Sequence, residues 1–335
     1  MHIPENYLAP ATCAVMTAAM VPAWAHSIKH VKIDLPKEKI PMLGVGAAFS
    51  FLGMMFNVPL VGGTTGHAVG GTLIALLFGP NAACIAVSIA LLLQAVIFGD
   101  GGILSFGANC FNMAFVLPYL GYAVYKLLRK KTNDSVAAVI GSYVGLNAAA
   151  FCTAVEFGLQ PLLFKDELGH ALYCPYGLSI SIPAMMIPHL VVAGVVEAVF
   201  TVAVYTYVRK VAPSVIYDAV EVENTNAKKK LSPMLALSSL AAVLIAATPI
   251  GLLATGTAWG EWGADEIAET VETGQALGYT PNGLAQGWAL DPIMPDYALE
   301  GMPEVMAYIL SAIIGFALLV IIFKLISIPL GKKTK

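Results

Sequence analysis

AACIAVSIALLLQAVIF, residues 82–98, runs seventeen positions without a charged side chain. A helix needs about 20 mostly apolar residues to cross the hydrocarbon of a bilayer, and this stretch with its neighbours supplies them. Working outward, comparable runs recur at 7–27, 40–57, 67–79, 103–128, 134–160, 179–208, 232–254 and 304–326. Over 335 residues the chain is 58% hydrophobic and 12% charged, with a mean hydropathy of +0.77. A water-soluble globule of that composition would expose large apolar patches. The expected fold is therefore an all-α integral membrane protein, a polytopic bundle of about nine transmembrane helices. The first run is read as a retained helix: no basic region precedes it and no small-residue cleavage pattern follows.

Charge placement orients the bundle. Lysines and arginines at 29, 32, 37 and 39, at 126 and 129–131, at 209, 210 and 228–230, and at 324, 332, 333 and 335 all fall at one face, and of the 18 basic residues only Lys165 falls at the other. By the positive-inside rule that face is cytoplasmic, with the N-terminus outside and the C-terminus in the cytoplasm.

Three regions follow: a membrane domain over 1–210, a charged cytoplasmic linker over 211–231, and a C-terminal part over 232–335 with two helices around an external loop, 255–303. The loop carries Glu261, Asp265, Glu266, Glu269, Glu272, Asp291, Asp296 and Glu300 and no lysine or arginine. It reads as a solvated face, a clamp on the neighbouring domain, or a surface that concentrates cations. Five cysteines, at 13, 84, 110, 152 and 174, have no short paired spacing and imply neither disulfides nor a zinc site.

Two short segments carry the chemistry. The chain opens MHIPENYLAP. The Met1 amine, the His2 amide nitrogen and His2 Nδ1 can close a five- and a six-membered chelate ring on one ion, filling three corners of a square plane. LVGGTTGHAVGGTLIALLFG, residues 60–79, has a Gly- and Thr-rich front half and reads either as a broken, site-forming element or as a glycine-lined packing face. Its His67, on the same external side, is the candidate for the fourth corner. Four planar nitrogens suit Ni(II) and Cu(II) better than tetrahedral Zn(II). Met1, His2 and His67 are thus the expected metal site.

Glu156, His189 and Glu197 lie within apolar runs, where ionisable groups are costly; interhelical hydrogen bonding and an ion path are both open readings. The remaining histidines, His26, His30 and His170, have no nameable partner set. GGTTGHA has histidine where a phosphate loop needs lysine, and neither HExxH nor a nucleophile elbow occurs, so the chain is not read as an enzyme.

MHIPENYLAP, GGTTGHAVGGT at 62–72, GDGGILSFGANCFNMAF at 99–115 and PHLVVAGVVEAVFT at 188–201 resemble the CbiM/NikM family, the substrate-binding components of energy-coupling factor transporters for cobalt and nickel. GTAWGEWGADE, GYTPNGLAQGW and PDYALEG, at 256–266, 278–288 and 295–301, look like the accessory N-subunit of such transporters fused onto the first domain. The resemblance implies a seven-plus-two helix arrangement in a prokaryotic cell membrane and an ion bound by Met1, His2 and His67. It implies no permanent cofactor, with Ni(II) or Co(II) as the transported substrate. The implied partners are a membrane T-component (CbiQ/NikQ-like) and cytoplasmic ATPase subunits (CbiO/NikO-like). The MHIP opening and the fusion lean toward nickel. Asn6, where the family usually has glycine, puts the turn after the ligands in question. The rival from another class is a stand-alone divalent-cation channel or ion-coupled permease using Glu156, His189 and Glu197.

Overall fold

The computed structural model describes residues 1–36, 39–60, 64–218, 232–272 and 274–330. Most of the expected linker, with Lys228–Lys230, lies outside these residues, as do Lys37 and the last five positions.

The helices fall close to the expected runs. They are α1 (Pro10–Asp34), α2 (Ile40–Met54), α3 (Gly71–Phe78), α4 (Pro80–Phe98), α5 (106–128), α6 (Asp134–Leu163), α7 (Leu178–Val211), α8 (Pro233–Leu253) and α9 (Glu304–Leu330). Among the described residues, α1, α4, α6, α7, α8 and α9 are long and apolar enough to cross a membrane. α2 has 15 residues and α3 only eight; at 1.5 Å per residue, α3 spans roughly 12 Å and cannot cross alone. The protein is a multi-pass helical membrane protein. Its outward-facing side chains include Val15, Leu127, Leu162 and Val199, all well exposed and all apolar, as a lipid-facing surface requires.

Proline and asparagine set several boundaries. Pro10, Pro80 and Pro233 stand in the first turns of α1, α4 and α8, where the missing N–H has no helical partner anyway. Asn133 caps α6 by accepting from the Val136 amide at 2.9 Å. Three helices widen into π turns, at Gln94–Phe98, Cys110–Val116 and His189–Ala193, features that concentrate near functional sites.

α5 and α6 run along one another, α7 packs on α6, and α8 and α9 both pack on α2. The Tyr308 hydroxyl of α9 donates to the Met55 carbonyl at the end of α2, at 2.7 Å. Phe49, Phe51, Phe98, Phe157 and Phe323 are fully buried between these layers.

Two expectations are corrected in detail. The first helix begins at Pro10 rather than Tyr7, because residues 1–9 leave the helical path and enter the bundle: Met1, His2, Ile3, Tyr7 and Leu8 are all buried. The helix expected from residue 67 begins at Gly71. Before it, residues 64–70 are non-helical, with a short antiparallel ladder pairing Val58 with Gly66 and Pro59 with Thr65; residues 61–63 lie outside the described set.

Candidate metal centre

The site is assembled by threading the chain's own beginning between helices. Ile3 is held from both sides of its peptide: its N–H donates to Asn109 Oδ1 at 2.8 Å, and its carbonyl accepts from Asn109 Nδ2 at 3.0 Å, the Gly102 amide at 2.9 Å and Ser105 Oγ at 2.6 Å. Gly102 is required there, since a Cβ would fall 2.7 Å from the Glu5 backbone nitrogen. Glu5 accepts from the Ile103 and Leu104 amides at 2.6 and 3.3 Å. The Tyr7 carbonyl accepts from the Cys174 amide at 3.0 Å, and the Ala9 amide donates to Gln160 Oε1 at 3.0 Å. A terminus is normally the least ordered part of a chain; here nearly every turn of it is tied down.

Asn6 sits at φ 64, the left-handed region that glycine adopts readily and asparagine tolerates. Its Nδ2 donates to the Trp288 carbonyl at 3.1 Å. The turn the glycine would make is therefore kept.

His67 arrives from the broken segment. Residues 69 and 70 are fixed by Glu197 of α7, whose carboxylate accepts from the Val69 amide at 2.7 Å and the Gly70 amide at 2.9 Å. Gly70, at φ 72, makes the bend that leads into α3. The second half of the segment is a packing face: a Cβ on Gly71 would meet Leu117 Cδ2 at 2.6 Å. The described front of the segment is thus non-helical and its second half is a close-packed face.

The two histidines meet. His67 Nε2 lies 3.1 Å from His2 Nδ1, and the ring centroids are 5.0 Å apart. His67 Nδ1–H donates to the Ala68 carbonyl at 3.1 Å, which leaves the Nε2 lone pair facing His2. Metal–imidazole bonds of about 2.0 Å place neighbouring corners of a square plane roughly 2.8 Å apart, so 3.1 Å suits two adjacent donors on one ion. Both side chains are almost wholly buried. Burial, and then the positive terminal amine, push the His2 ring down to about 3, so it stays neutral and keeps its lone pair at any physiological pH.

Around this pair stand groups the sequence did not single out. The Met1 ammonium is 3.2 Å from Glu261 Oε1. His2 Nδ1 is 3.0 Å from Asp100 Oδ1. A cavity of about 620 Å³ lies against the site, lined by Met1, His2, His67, Asp100, Glu261 and Tyr297 among others. Asp100 and Asn109 sit inside the 99–115 motif, but neither residue type alone announces its partner. Glu261 was one of eight loop carboxylates with nothing to rank it first.

The intramembrane ionisable groups are engaged elsewhere. Besides Glu197, Glu156 accepts from Asn112 Nδ2 at 2.8 Å, and His189 Nδ1–H donates to the Met185 carbonyl at 2.7 Å. None of the three contributes to the His2–His67 pair. An exposed His26 and a half-buried His30 lie ring against ring at the far end of α1, and His170 pairs with Asp166 at 3.4 Å in an exposed loop.

Residues 2–215 match the family described as CbiM, cobalt uptake substrate-specific transmembrane region, and residues 233–331 match the PDGLE domain. The chain is 46% identical to a probable fused nickel transport protein of Lactiplantibacillus plantarum, over 97% of each chain. It is 42% identical to the fused nickel transport protein of Rhodobacter capsulatus, over 96% of this chain and 95% of that one. A cobalt transport protein CbiM of Lachnoclostridium phytofermentans is 29% identical, covering 62% of this chain and 84% of the relative. A crystal structure described as a transition metal transporter is 56% identical with a TM-score of 0.61, covering 63% of this chain and 93% of that one.

Proposed function

Because the chain belongs to the CbiM family of cobalt-uptake transmembrane proteins, we propose that it is the substrate-specificity component of an ATP-driven, energy-coupling-factor importer that captures Ni(II) or Co(II) outside the cell and delivers it to the cytoplasm. Residues 1–210 form a seven-helix metal-binding domain with the N-terminus outside, residues 211–231 a cytoplasmic linker, and residues 232–335 a fused two-helix part. ATP is hydrolysed in separate cytoplasmic subunits joined through a membrane T-component. This protein binds the ion, and once coupled it reorients so that the site opens inward.

One observation carries the reading: a buried His2–His67 pair at 3.1 Å beside the terminal amine. The ion takes the Met1 amine, the His2 amide nitrogen, His2 Nδ1 and His67 Nε2. His67 stands beside His2 Nδ1 and the amine and opposite the amide nitrogen. Loading strips protons from the amine and the amide, and the His2 ring carries its remaining proton on Nε2. The planar nitrogen set favours Ni(II) by geometry. Relatives named as nickel transport proteins that match nearly the whole chain support the same metal.

Competition binding on purified protein with its native N-terminus tests this. Ni(II) should displace Co(II), and cellular uptake should require the ATPase subunits. Zn(II) prevailing over Ni(II) would contradict the planar site. Uptake at full rate without the ATPases would favour the channel or permease built on Glu156, His189 and Glu197.

A further inference from the structure

His2 has two ring nitrogens, and one ion in this site can take only one of them. On the proposed function that nitrogen is Nδ1, which faces His67 Nε2 at 3.1 Å and Asp100 Oδ1 at 3.0 Å. A neutral imidazole carries its hydrogen on the nitrogen that the ion does not hold. In the loaded ring that nitrogen is Nε2, and an N–H buried there needs an acceptor.

Nε2 is buried and, among the described residues, has no hydrogen-bond partner. Backbone covers that edge of the ring: a Cβ on Gly101 would stand 3.3 Å from His2 Cδ2, the carbon beside Nε2. A second buried atom is in the same condition. The Gln94 side chain lies within hydrogen-bonding reach of the His2 ring, is fully buried, and its Oε1 likewise has no partner among the described residues. The far end of the amide decides which atom is left for the ring. Gln94 Nε2 donates to Asp100 Oδ2 and to the Tyr297 hydroxyl oxygen, both at 2.9 Å, so its two N–H groups are spent and the carbonyl remains. Gln94 also opens the π turn Gln94–Phe98 of α4, an irregularity of the kind that concentrates at functional sites.

We propose that Gln94 is a positioning residue of the metal centre: its Oε1 accepts the Nε2–H of His2 and so fixes the ring that presents Nδ1 to the ion. Resting on the proposed function, this extends it from the donors to what holds one of them. Ligating histidines almost always donate their second ring N–H to such an acceptor, whose loss typically lowers metal affinity about 10- to 100-fold.

The test is Ni(II) binding to the purified full chain by calorimetry, with proton and nitrogen-15 NMR of the histidine rings in the loaded protein, where planar Ni(II) is spin-paired and leaves the signals sharp. Gln94→Met keeps the length of the side chain and removes its carbonyl. Affinity should fall about tenfold, and the His2 Nε2–H signal should move upfield while that of His67 Nδ1–H, bonded to the Ala68 carbonyl, stays in place. Gln94→Glu puts a charged and stronger acceptor at the same position and should move the His2 signal downfield. A glutamine that only filled space would not drive one proton in opposite directions. Should Gln94→Met fail to fold, the downfield shift in Gln94→Glu carries the test. Affinity of folded Gln94→Met within twofold of wild type, or a His2 signal unmoved in either folded variant, would overturn the proposal. Undiminished binding in His67→Ala, or a His2 Nδ1 signal unchanged by Ni(II) in the wild type, would instead count against the ligand set itself.

Discussion

Residues 1–9 and the loop 255–303 both lie outside the helices and both reach the same buried histidine pair, yet they are built in opposite ways. The first is bound to the bundle by its peptide groups: Ile3, Tyr7 and Ala9 each use backbone atoms against α5, α6 or the segment before α7. The second is largely exposed and touches the site through two side chains, Glu261 and Tyr297, at the tips of irregular turns. Donors must be held to within a fraction of an ångström, and backbone anchoring inside a rigid bundle does that; an outer contact can be looser. On the proposed function, the first region supplies the ligands and the second trims their setting.

The comparison can be broken at its strong end first. Extending the chain by one residue before Met1 moves the amine and destroys the chelate, while the Ile3 anchors stay. Ni(II) affinity should fall about 1,000-fold, roughly 4 kcal/mol, by calorimetry, with the melting temperature of the metal-free protein changed little. His67→Ala removes the fourth corner and should cost about 100-fold, roughly 2.7 kcal/mol. Asn109→Ala removes two of the four hydrogen bonds on Ile3 without touching a donor; a loss of about 10- to 100-fold in equilibrium binding is expected.

At the loop end the effects should be smaller. Glu261→Gln keeps the shape beside the amine and removes its charge; a change of about fivefold or less is expected, read as a faster off-rate in stopped-flow chelation. A loss matching that of His67→Ala would show that the loop supplies a ligand. Acidity sharpens the same contrast. The His2 ring is held neutral, down to about 3, so protons compete at the amine and the amide rather than at imidazole. Affinity should therefore fall as pH drops from 8 to 6, by about tenfold per unit for each proton displaced. A flat titration over that range would mean that the amide nitrogen is not a donor.

Much of this was legible in the sequence. The helices were marked by long apolar runs, because hydrocarbon leaves the backbone no partner but itself. His2 and His67 were nameable because few residue types can chelate, while the start of the helix after His67, expected at residue 67, lies at Gly71. Asp100, Asn109 and Tyr297 were not nameable, since their roles depend on separations in space between residues up to 200 positions apart. Glu197 was noticed as costly, but its partners are the amides of residues 69 and 70, which a sequence cannot pair with a distant carboxylate. The insertion of residues 1–9 was hidden for the same reason: Tyr7 and Leu8 continue the apolar run of α1, and only tertiary contacts turn them inward.

The most direct measurement is the position of the ion. Anomalous scattering at the nickel edge from crystals of the loaded protein with a native N-terminus should place a single peak between the Met1 amine, His2 and His67 Nε2, with four nitrogens in one plane. A peak among Glu156, His189 and Glu197, with the first residues displaced from the bundle, would contradict it.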